Sequence, residues 1–565
     1  MKLPSFVLFA VAATQTGGSA VLSRAPCTGN TATTRSQWCD FDINTDYYDI
    51  VPDTGVIREY FFNLEQVTTA PDGFSRVAYA INGTIPAPTI IADWGDIVVI
   101  HVTNNLGIAQ NGTSIHFHGI RQNRTNEMDG VVSITQCPTP PGSTITYTWR
   151  ATQYGSSWYH SHFGFQAWDG AAGGMIINGP ATANYDEDKG IVLLSDWNHR
   201  TASELYSETL TKGPPGISNA IINGTNIWKD ESGTTVGTRF NTSVTAGKSY
   251  RLRLVNGGID THFKFSIDNH TMTVIAADFV PIVPYETTLL NIGMGQRYDV
   301  IVQANQHSVA DNFWIRAEPQ TACSSQNSNQ GNILGILYYG NKPDTPTTKG
   351  YAYKVAACED ESLDNLVPHV ARSAGKEHWS DLELADLIQQ ENVFLWALNE
   401  TSFYVDWANP TLLQVYNDEK EFTHRSHVIQ LDEKNQWVYV IIQAQNAASH
   451  PIHLHGHDFY ILGQGTGTYN STQQRSLSNP TRRDVALLPG SGYLVLAFVT
   501  DNPGAWLMHC HIGWHTNTGL ALQFVEQYGA ARGLINHDFL NSTCEAWSRY
   551  VSRTSIKQGV YEDGI

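Results

Sequence analysis

The chain has 565 residues, which is too long for one hydrophobic core, so several domains are expected. Its 53 acidic residues outnumber its 34 lysines and arginines, and the formal charge of −19 argues against nucleic acid and anionic membrane surfaces as partners. Solubility of a secreted protein is the simplest explanation of this acidic balance.

Residues 1–20 have the pattern of a secretory signal peptide. Lys2 supplies the positive start, residues 6–13 form a short apolar run, and Gly18-Ser19-Ala20 fits a small-residue cleavage site. The apolar run is too short to span a bilayer, and no other segment of the sequence does so. We therefore predict a secreted, extracellular protein without a membrane span.

Asparagine and cysteine usage agrees with secretion. The chain has seven cysteines, and the six other than Cys510 are enough for three disulfides in an oxidising compartment, although spacing alone allows about fifteen pairings. Sequons for N-glycosylation are frequent. They occur at Asn82, Asn111, Asn123, Asn223, Asn241, Asn269, Asn399, Asn470 and Asn541.

Alternating apolar and polar residues predict strands in each third of the chain. Examples are residues 96–102 (DIVVIHV), 249–255 (SYRLRLV) and 436–442 (QWVYVII), which are rich in Val, Ile and Tyr. Strands at short spacing with turn signals between them predict an all-β protein built from sandwiches or barrels. One helix is predicted at residues 380–391 (SDLELADLIQQE), with a serine cap and apolar Leu382, Leu384 and Leu387.

Internal repeats predict three modules. Residues 155–162 (GSSWYHSH) align without a gap with 504–511 (GAWLMHCH), and residues 115–119 (IHFHG) match 452–456 (IHLHG). A weaker copy between them, in which 223–228 and 240–256 echo 82–105, carries no His-x-His pair. The predicted modules are residues 40–180, 181–345 and 391–548, with a linker at 346–390 and a C-terminal tail at 549–565.

Ten of the 21 histidines fall into four tight clusters. A single His-x-His pair is usually a core or surface pair, but four such clusters together favour metal binding. Ligand sites are often found at domain interfaces. We therefore expect the histidines of the first and third modules to converge where these two modules meet. The clustered residues are His116, His118, His160, His162, His450, His453, His455, His509, His511 and His515.

Cys510 lies between His509 and His511, and in a strand its side chain would point away from theirs. One peptide could thus serve two metal centres back to back. Two histidines and one cysteine with a weak or absent axial ligand describe a blue-copper site, and Cys510, His450 and His515 fit that count. The residue ten positions after Cys510 is Leu520, which has no donor atom and should raise the reduction potential.

Eight clustered histidines remain, and they can hold three copper ions at two or three ligands each. Three coppers plus the blue site store four reducing equivalents, which matches the reduction of O2 to two waters.

The segments SIHFHG, WYHSHF, HPIHLHG and HCHIGWH resemble the four copper signatures of multicopper oxidases. More narrowly, the chain is similar to ascomycete-type fungal laccases from about residue 40 to its C-terminus. The resemblance implies three cupredoxin-like Greek-key sandwich domains, four copper ions, and oxidation of small phenols or aromatic amines by O2, and we expect a monomer. It implies that His450, Cys510 and His515 hold the type 1 copper, that His116 and His453 hold the type 2 copper, and that His118, His160, His162, His455, His509 and His511 hold the type 3 pair.

The resemblance also implies three disulfides, Cys27–Cys39, Cys137–Cys544 and Cys323–Cys358. It gives His457 no ligand role, so this residue is interpreted as a packing residue near the copper ligands.

Three further roles follow from the resemblance. His515 would be the contact that receives the substrate electron, Asp196 would accept the substrate proton, and Asp129 would relay protons or hold water near the type 2 copper. The alternatives are an ordinary strand-end aspartate for Asp196 and a turn aspartate before Gly130 for Asp129.

Laccases of this type commonly end in a plug that enters the channel to the copper cluster. The usual plug has the sequence Asp-Ser-Gly-aliphatic. The ending Glu562-Asp563-Gly564-Ile565 differs from it at the first two positions, so both a plug and a disordered tail stay open. The rival functions are a ferroxidase or another multicopper oxidase, and a copper carrier without turnover.

Overall fold

The computed structural model describes residues 28–107, 112–353, 358–559 and 564–565. The predicted signal peptide, Cys27 and Asn111 lie outside these residues. Within them, no helix is long and apolar enough to cross a membrane.

Strands dominate all three modules, which confirms the all-β prediction. The first contains β1 (Gln37–Trp38), β2 (Phe41–Asp42), β3 (Ile57–Thr69), β4 (Arg76–Ile81), β5 (Ala87–Asp93), β6 (Ile97–Asn104), β7 (Ile115–Phe117), β8 (Thr144–Arg150), β9 (Gly155–Ser161) and β10 (Ala172–Asn178). The second contains β11 (Glu187–Trp197), β12 (Asn219–Ile222), β13 (Ile227–Lys229), β14 (Thr235–Gly237), β15 (Asn241–Val244), β16 (Ser249–Asn256), β17 (Phe263–Ile267), β18 (Met272–Ala277), β19 (Val280–Thr287), β20 (Leu290–Ile292), β21 (Arg297–Gln303), β22 (Asn312–Pro319) and β23 (Leu334–Tyr339).

The third module contains β24 (Trp379–Gln390), β25 (Val393–Leu398), β26 (Val428–Leu431), β27 (Trp437–Ala444), β28 (His450–Leu454), β29 (Phe459–Thr466), β30 (Arg482–Arg483), β31 (Val485–Leu488), β32 (Gly492–Val499), β33 (Gly504–Cys510) and β34 (Ala521–Glu526). The helices are α1 (Ala202–Lys212), α2 (Thr411–Tyr416), α3 (Gly513–Thr516), α4 (Tyr528–Leu534) and α5 (His537–Thr554), with 3-10 turns at Asn126–Met128, His424–Ser426 and Ser471–Gln473.

Each module is built on two main sheets with an apolar core between them. The sheets of the first module have the strand orders β4-β3-β6-β8 and β5-β10-β9-β7. Those of the second are β12-β11-β16-β21-β18-β19 and β15-β23-β22-β17-β20, and those of the third are β25-β24-β27-β32-β29-β30 and β26-β34-β33-β28-β31.

The predicted helix at residues 380–391 is wrong, because this segment forms β24. The strand pairs in parallel with β27 and antiparallel with β25, so ladder hydrogen bonds override the helix propensity of its leucines and glutamates. Glu383 is buried beside His427, whereas Leu382 and Leu384 are exposed. The segment predicted as a linker, residues 346–390, therefore ends inside a strand of the third module.

An asparagine follows the edge strand in the same place in each module, at Asn82, Asn223 and Asn399, and each has a φ between 46° and 53°. The side-chain oxygen accepts a hydrogen bond from a backbone N–H of the neighbouring strand. The side-chain nitrogen donates to a backbone carbonyl of that same strand, two residues before the N–H donor. We call this arrangement the asparagine clip. The partners are Asn63 and Phe61 for Asn82 (2.7 and 2.9 Å), Leu193 and Ile191 for Asn223 (2.7 and 2.9 Å), and Leu384 and Leu382 for Asn399 (3.0 and 2.9 Å).

Two of the implied disulfides are present, Cys137–Cys544 and Cys323–Cys358. The first ties the first module to α5. The pairing of Cys27 with Cys39 involves a residue outside the described ranges and stays a prediction. Most described sequon asparagines are exposed, and only Asn223 and Asn541 are partly buried.

Candidate metal centre

Three potential ligands meet at one sheet of the third module and the short helix that follows it. His450 begins β28, Cys510 ends β33, and His515 lies in the short helix α3. The strands β28 and β33 are antiparallel neighbours, with Ile452 directly opposite Cys510. This register brings the Cys510 thiol beside the imidazole of His450.

The three side chains face one another at close range. Cys510 Sγ lies 3.7 Å from Nδ1 of both His450 and His515, and the two Nδ1 atoms are 3.1 Å apart. Burial lowers the pKa of His450 to about 3 and raises the pKa of the Cys510 thiol, so a protein-only site would hold neutral groups. Two imidazole nitrogens and one sulfur in this arrangement are the donor set of a blue-copper site.

The surroundings of this group are apolar. Leu520 is 1% exposed and belongs to the same core as Cys510, and its carbonyl accepts a hydrogen bond from Cys510 N at 3.0 Å. The Trp396 ring contacts both His450 and His515, with centroid separations of 4.5 Å. Leu520 thus supplies packing at this site and no donor atom.

The other eight histidines converge from the first and third modules. His116 lies opposite His160 in the β7–β9 pair, and His453 lies opposite His509 in the β28–β33 pair. The same register in both pairs confirms the internal repeat. The two halves meet, because the His118 and His453 rings stack at 3.9 Å and the His162 and His509 rings lie 5.6 Å apart.

Hydrogen bonds orient these rings. The Nδ1 atoms of five of them donate to oxygens of the chain, whereas Nε2 of His116, His160 and His453 is buried without a hydrogen-bond partner. A histidine whose one nitrogen donates to an oxygen presents the other as a lone pair, which is the usual arrangement around a bound metal. The five bonds are His116 to Asp129 O (2.8 Å), His160 to Ser161 O (3.0 Å), His453 to Asp484 O (2.8 Å), His455 to Asp129 Oδ2 (2.9 Å) and His509 to Cys510 O (2.9 Å).

Burial disfavours the charged form of seven of the cluster rings. Loss of solvation is the largest cause that lowers the pKa of His160 to about 3 and that of His509 to about 4, and mutual repulsion of the rings adds to it. The pKa values of His118, His162, His453, His455 and His511 are also lowered well below the usual value for the same reasons. The unpaired nitrogens and this neutral donor set fit three copper ions.

Asp129 lies inside this cluster. Its Oδ2 accepts from His455, its backbone carbonyl accepts from His116, and its Oδ1 is 3.3 Å from His116 Nδ1. The following Gly130 has φ +75°, and a Cβ there would lie 1.8 Å from Ile115 O, so the turn requires glycine. Asp129 is therefore both a turn residue and a partner of two cluster histidines.

Asp484 also lies at this cluster, although it is not among the residues predicted from the sequence. Its Oδ1 lies 3.3 Å from His118 Nε2, and its carbonyl orients His453. The buried Arg297 holds the carboxylate at 2.5 and 2.6 Å and favours its charged form, which opposes the rise in the pKa of Asp484 that burial causes. The available signal was the charged run Arg482-Arg483-Asp484 directly before an apolar strand.

Asp196 is not among the residues that line the cavity beside His515. It lies in β11, and its Oδ2 accepts hydrogen bonds from the backbone N–H groups of Asp260 (2.9 Å) and Thr261 (3.0 Å). Burial raises the pKa of this carboxyl. The structure gives Asp196 a role in fixing the loop at residues 259–261, and its predicted role as proton acceptor stays a prediction.

His457 points away from the cluster centre. Its Nδ1 donates to His455 O at 3.0 Å, its Nε2 lies 2.9 Å from Glu526 Oε1, and its ring contacts Phe498. These contacts agree with its interpretation as a packing residue.

The end of the chain is buried near the cluster. Ile565 is 4% exposed, Ser133 Oγ donates to Gly564 O at 2.7 Å, and Gly164 N donates to Ile565 O at 3.3 Å. Gly164 is two residues from His162 in the chain. The last two residues therefore occupy an ordered position beside a cluster loop.

Family models described as multicopper oxidase match residues 63–182, 188–342 and 401–530, one segment in each module. The chain belongs to the multicopper oxidase family. It is similar to Laccase-2 of Botryotinia fuckeliana, with 48% identity over 92% of this chain and 91% of the relative. It is also similar to the laccase of Cryphonectria parasitica, with 42% identity over 93% of each chain.

Solved structures of multicopper oxidases have the same fold. The laccase from Botrytis aclada matches with a TM-score of 0.90 and 46% identity, covering 95% of this chain and 99% of that one. Fet3p, described as a multicopper oxidase that functions in iron import, matches with a TM-score of 0.77 and 27% identity, covering 89% and 96%. The prediction of three cupredoxin-like domains is confirmed.

Proposed function

We propose that this chain is a laccase, which oxidises phenols and aromatic amines by one electron each and reduces O2 to water. Four copper ions, one of type 1, one of type 2 and two of type 3, are the standard laccase arrangement. The observation that carries the proposal is Cys510, which faces His450 and His515 while its neighbours His509 and His511 face the histidine cluster. One covalent segment thus joins a one-cysteine site to an eight-histidine site.

We assign the ligands from this geometry and the family signatures. His450, Cys510 and His515 hold the type 1 copper. His116 and His453 hold the type 2 copper. The type 3 pair is held by His118, His160, His162, His455, His509 and His511.

Bound copper supplies the one-electron chemistry, and four ions together match the four electrons that O2 requires. The protein fixes the orientation of the ligand side chains and excludes water from them. Hydrogen bonds to Nδ1 fix the cluster rings, and the apolar contacts of Leu520 and Trp396 keep water from the Cys510 sulfur. Asp129 lies beside His116 and His455, and we propose that it relays protons or holds water there.

The cavity beside His515 supports an aromatic substrate. Leu387, Phe394, Trp396 and Trp514 form much of its wall. Aromatic rings bind aromatic and apolar surfaces well. A ferroxidase would need carboxylates near His515 to bind Fe(II), and none is among the residues that line this cavity. We further propose that the protein is secreted and monomeric, and that Asp196 accepts the substrate proton.

Copper content and oxygen uptake test the proposal. The purified protein should hold four copper ions per chain, show the blue absorption of a thiolate–copper bond, and consume O2 with diphenols and aromatic amines faster than with ferrous ion, ascorbate or bilirubin. Cys510→Ser, which copies the serine at the equivalent Ser161, should lose the colour and the turnover. Ser161→Ala changes the matching position of the first module and should keep both. Zinc in place of copper, or one copper per fully loaded chain, would refute the proposal.

A further inference from the structure

The cavity that His515 opens into has a volume of about 290 Å³. Its apolar wall comes from the β24–β25 hairpin and from helix α3, and its rim comes from the end of helix α1. Leu387 and Phe394 are 43% and 39% exposed, so the wall is open to solvent at its mouth. The lining residues are Thr209, Thr211, Lys212, Gly213, Pro214, Leu387, Phe394, Trp396, Trp514, His515 and Thr518.

The charge of this lining is opposite to that of the whole chain. The chain carries a formal charge of −19, yet Lys212 is the one charged side chain in the lining, and the lining contains no carboxylate. Asp196 is not part of this lining; its Oδ2 accepts hydrogen bonds from the backbone N–H groups of Asp260 and Thr261. An isolated cation at the mouth of an apolar cavity favours ligands that carry one negative charge.

Lys212 is available for such a ligand. It is the last residue of α1, and its side chain is exposed. The acid one helical turn earlier, Glu208, already pairs with Arg200 at 2.9 Å. Among the described residues, Lys212 makes no ion pair within 4.0 Å, and its charge acts on Glu208 only at longer range. Its position at the helix C-terminus also stabilises the ammonium group through the helix dipole.

We propose that Lys212 selects phenols that carry a carboxylate, such as hydroxybenzoates and hydroxycinnamates. The carboxylate pairs with Lys212 at the rim, the ring packs against Phe394 and Trp396, and the phenol points toward His515. Lys212 is a specificity residue and not a catalytic residue, because it acts on the end of the substrate that does not react. This inference deepens the proposed function and rests on it.

Paired substrates test the proposal on the copper-loaded enzyme. We would measure kcat and KM for 4-hydroxy-3-methoxycinnamate and for its methyl ester, at a pH where the carboxylate is ionised and lysine is protonated. In Lys212→Gln, the ratio of the two kcat/KM values should fall about 2- to 5-fold, as expected for one solvent-exposed ion pair. The change should lie in KM for the acid, and Lys212→Glu should lower the ratio further. Added salt should lower the wild-type ratio and leave that of Lys212→Gln unchanged.

Lys229→Gln is the matched control, because Lys229 is an exposed lysine of the same module at the end of β13. This variant should keep the wild-type ratio. An unchanged ratio in both Lys212 variants would overturn the proposal, and so would an equal loss with acid and ester, which indicates a structural effect. If the wild-type enzyme oxidises the ester but shows no preference that depends on Lys212, only the carboxylate subsite fails. If it oxidises neither substrate, the proposed laccase function fails as well.

Discussion

The strongest stability prediction concerns Asp484. This buried carboxylate is held by Arg297 at 2.5 and 2.6 Å, and Arg483 binds the neighbouring Asp278 at 2.8 Å. Two cations and two anions thus balance within a region that is at most 2% exposed. Arg297 and Asp278 come from the second module and Asp484 from the third, so this group also links two domains.

Asp484→Asn removes one negative charge at nearly constant shape. The buried group then holds two guanidinium cations against one carboxylate. Removing one partner of a buried ion pair costs about 3–5 kcal/mol, because the remaining charge stays desolvated. The Asp484 carbonyl also orients His453, so we expect a lower copper content at the cluster in addition to the loss of stability.

Urea unfolding of the copper-loaded protein, followed by tryptophan fluorescence, measures the loss, and metal analysis measures the copper. Asp501→Asn is the matched control, because Asp501 also pairs with an arginine, Arg121 at 2.7 Å, but its side chain is 32% exposed. That variant should lose at most about 1 kcal/mol. If Asp484→Asn and Asp501→Asn unfold at the same urea concentration, the balanced buried group does not stabilise the domain contact and our reasoning is wrong.

Three further predictions concern Asp196, Leu520 and the last four residues. Asp196→Ala should lower the free energy of unfolding by about 2–6 kcal/mol, because the N–H groups of Asp260 and Thr261 lose their acceptor. Asp196→Asn keeps an acceptor oxygen and should lower it far less. If Asp196 is also the proton acceptor, Asp196→Asn slows the turnover of phenols and leaves that of a non-phenolic donor unchanged. Leu520→Met should lower the type 1 potential, measured by redox titration, by adding an axial thioether; an unchanged potential would contradict the axial position. Deleting residues 562–565 should cost about 1.5–3 kcal/mol through exposure of the Ile565 site and change the oxygen-uptake rate, whereas a disordered tail predicts no effect.

The potential ligand residues were readable from sequence because they are local. Strands β7, β9 and β33 each carry one histidine close to their C-terminal end, and the second histidine of each pair follows two residues later, so the spacing is visible in the primary sequence. The partners that orient the ligands are not local. Arg297 and Asp484 are 187 residues apart, and no pattern in the chain connects them.

The error at residues 380–391 has a physical cause. Leu382, Leu384 and Leu387 suggested the apolar face of a helix, but these leucines are the exposed residues of a strand, and two of its buried residues are Glu383 and Ala385. Sequence gives a strong helix propensity here, and only the pairing with β27 reveals the strand. Leu387 is exposed because it borders the His515 cavity.

The asparagine clip affects how carbohydrate could be studied on this protein. Asn82, Asn223 and Asn399 are sequon residues, and a sugar on the side-chain nitrogen would still leave one N–H for the bond to the neighbouring strand. A glycan there would leave the surface in a fixed direction, since both ends of the linking amide are tied to backbone. Replacing these asparagines would remove the sugar and would also remove both hydrogen bonds of the clip to the neighbouring strand. Changing the sequon threonine instead, such as Thr84→Ala, removes the attachment signal and leaves the amide in place.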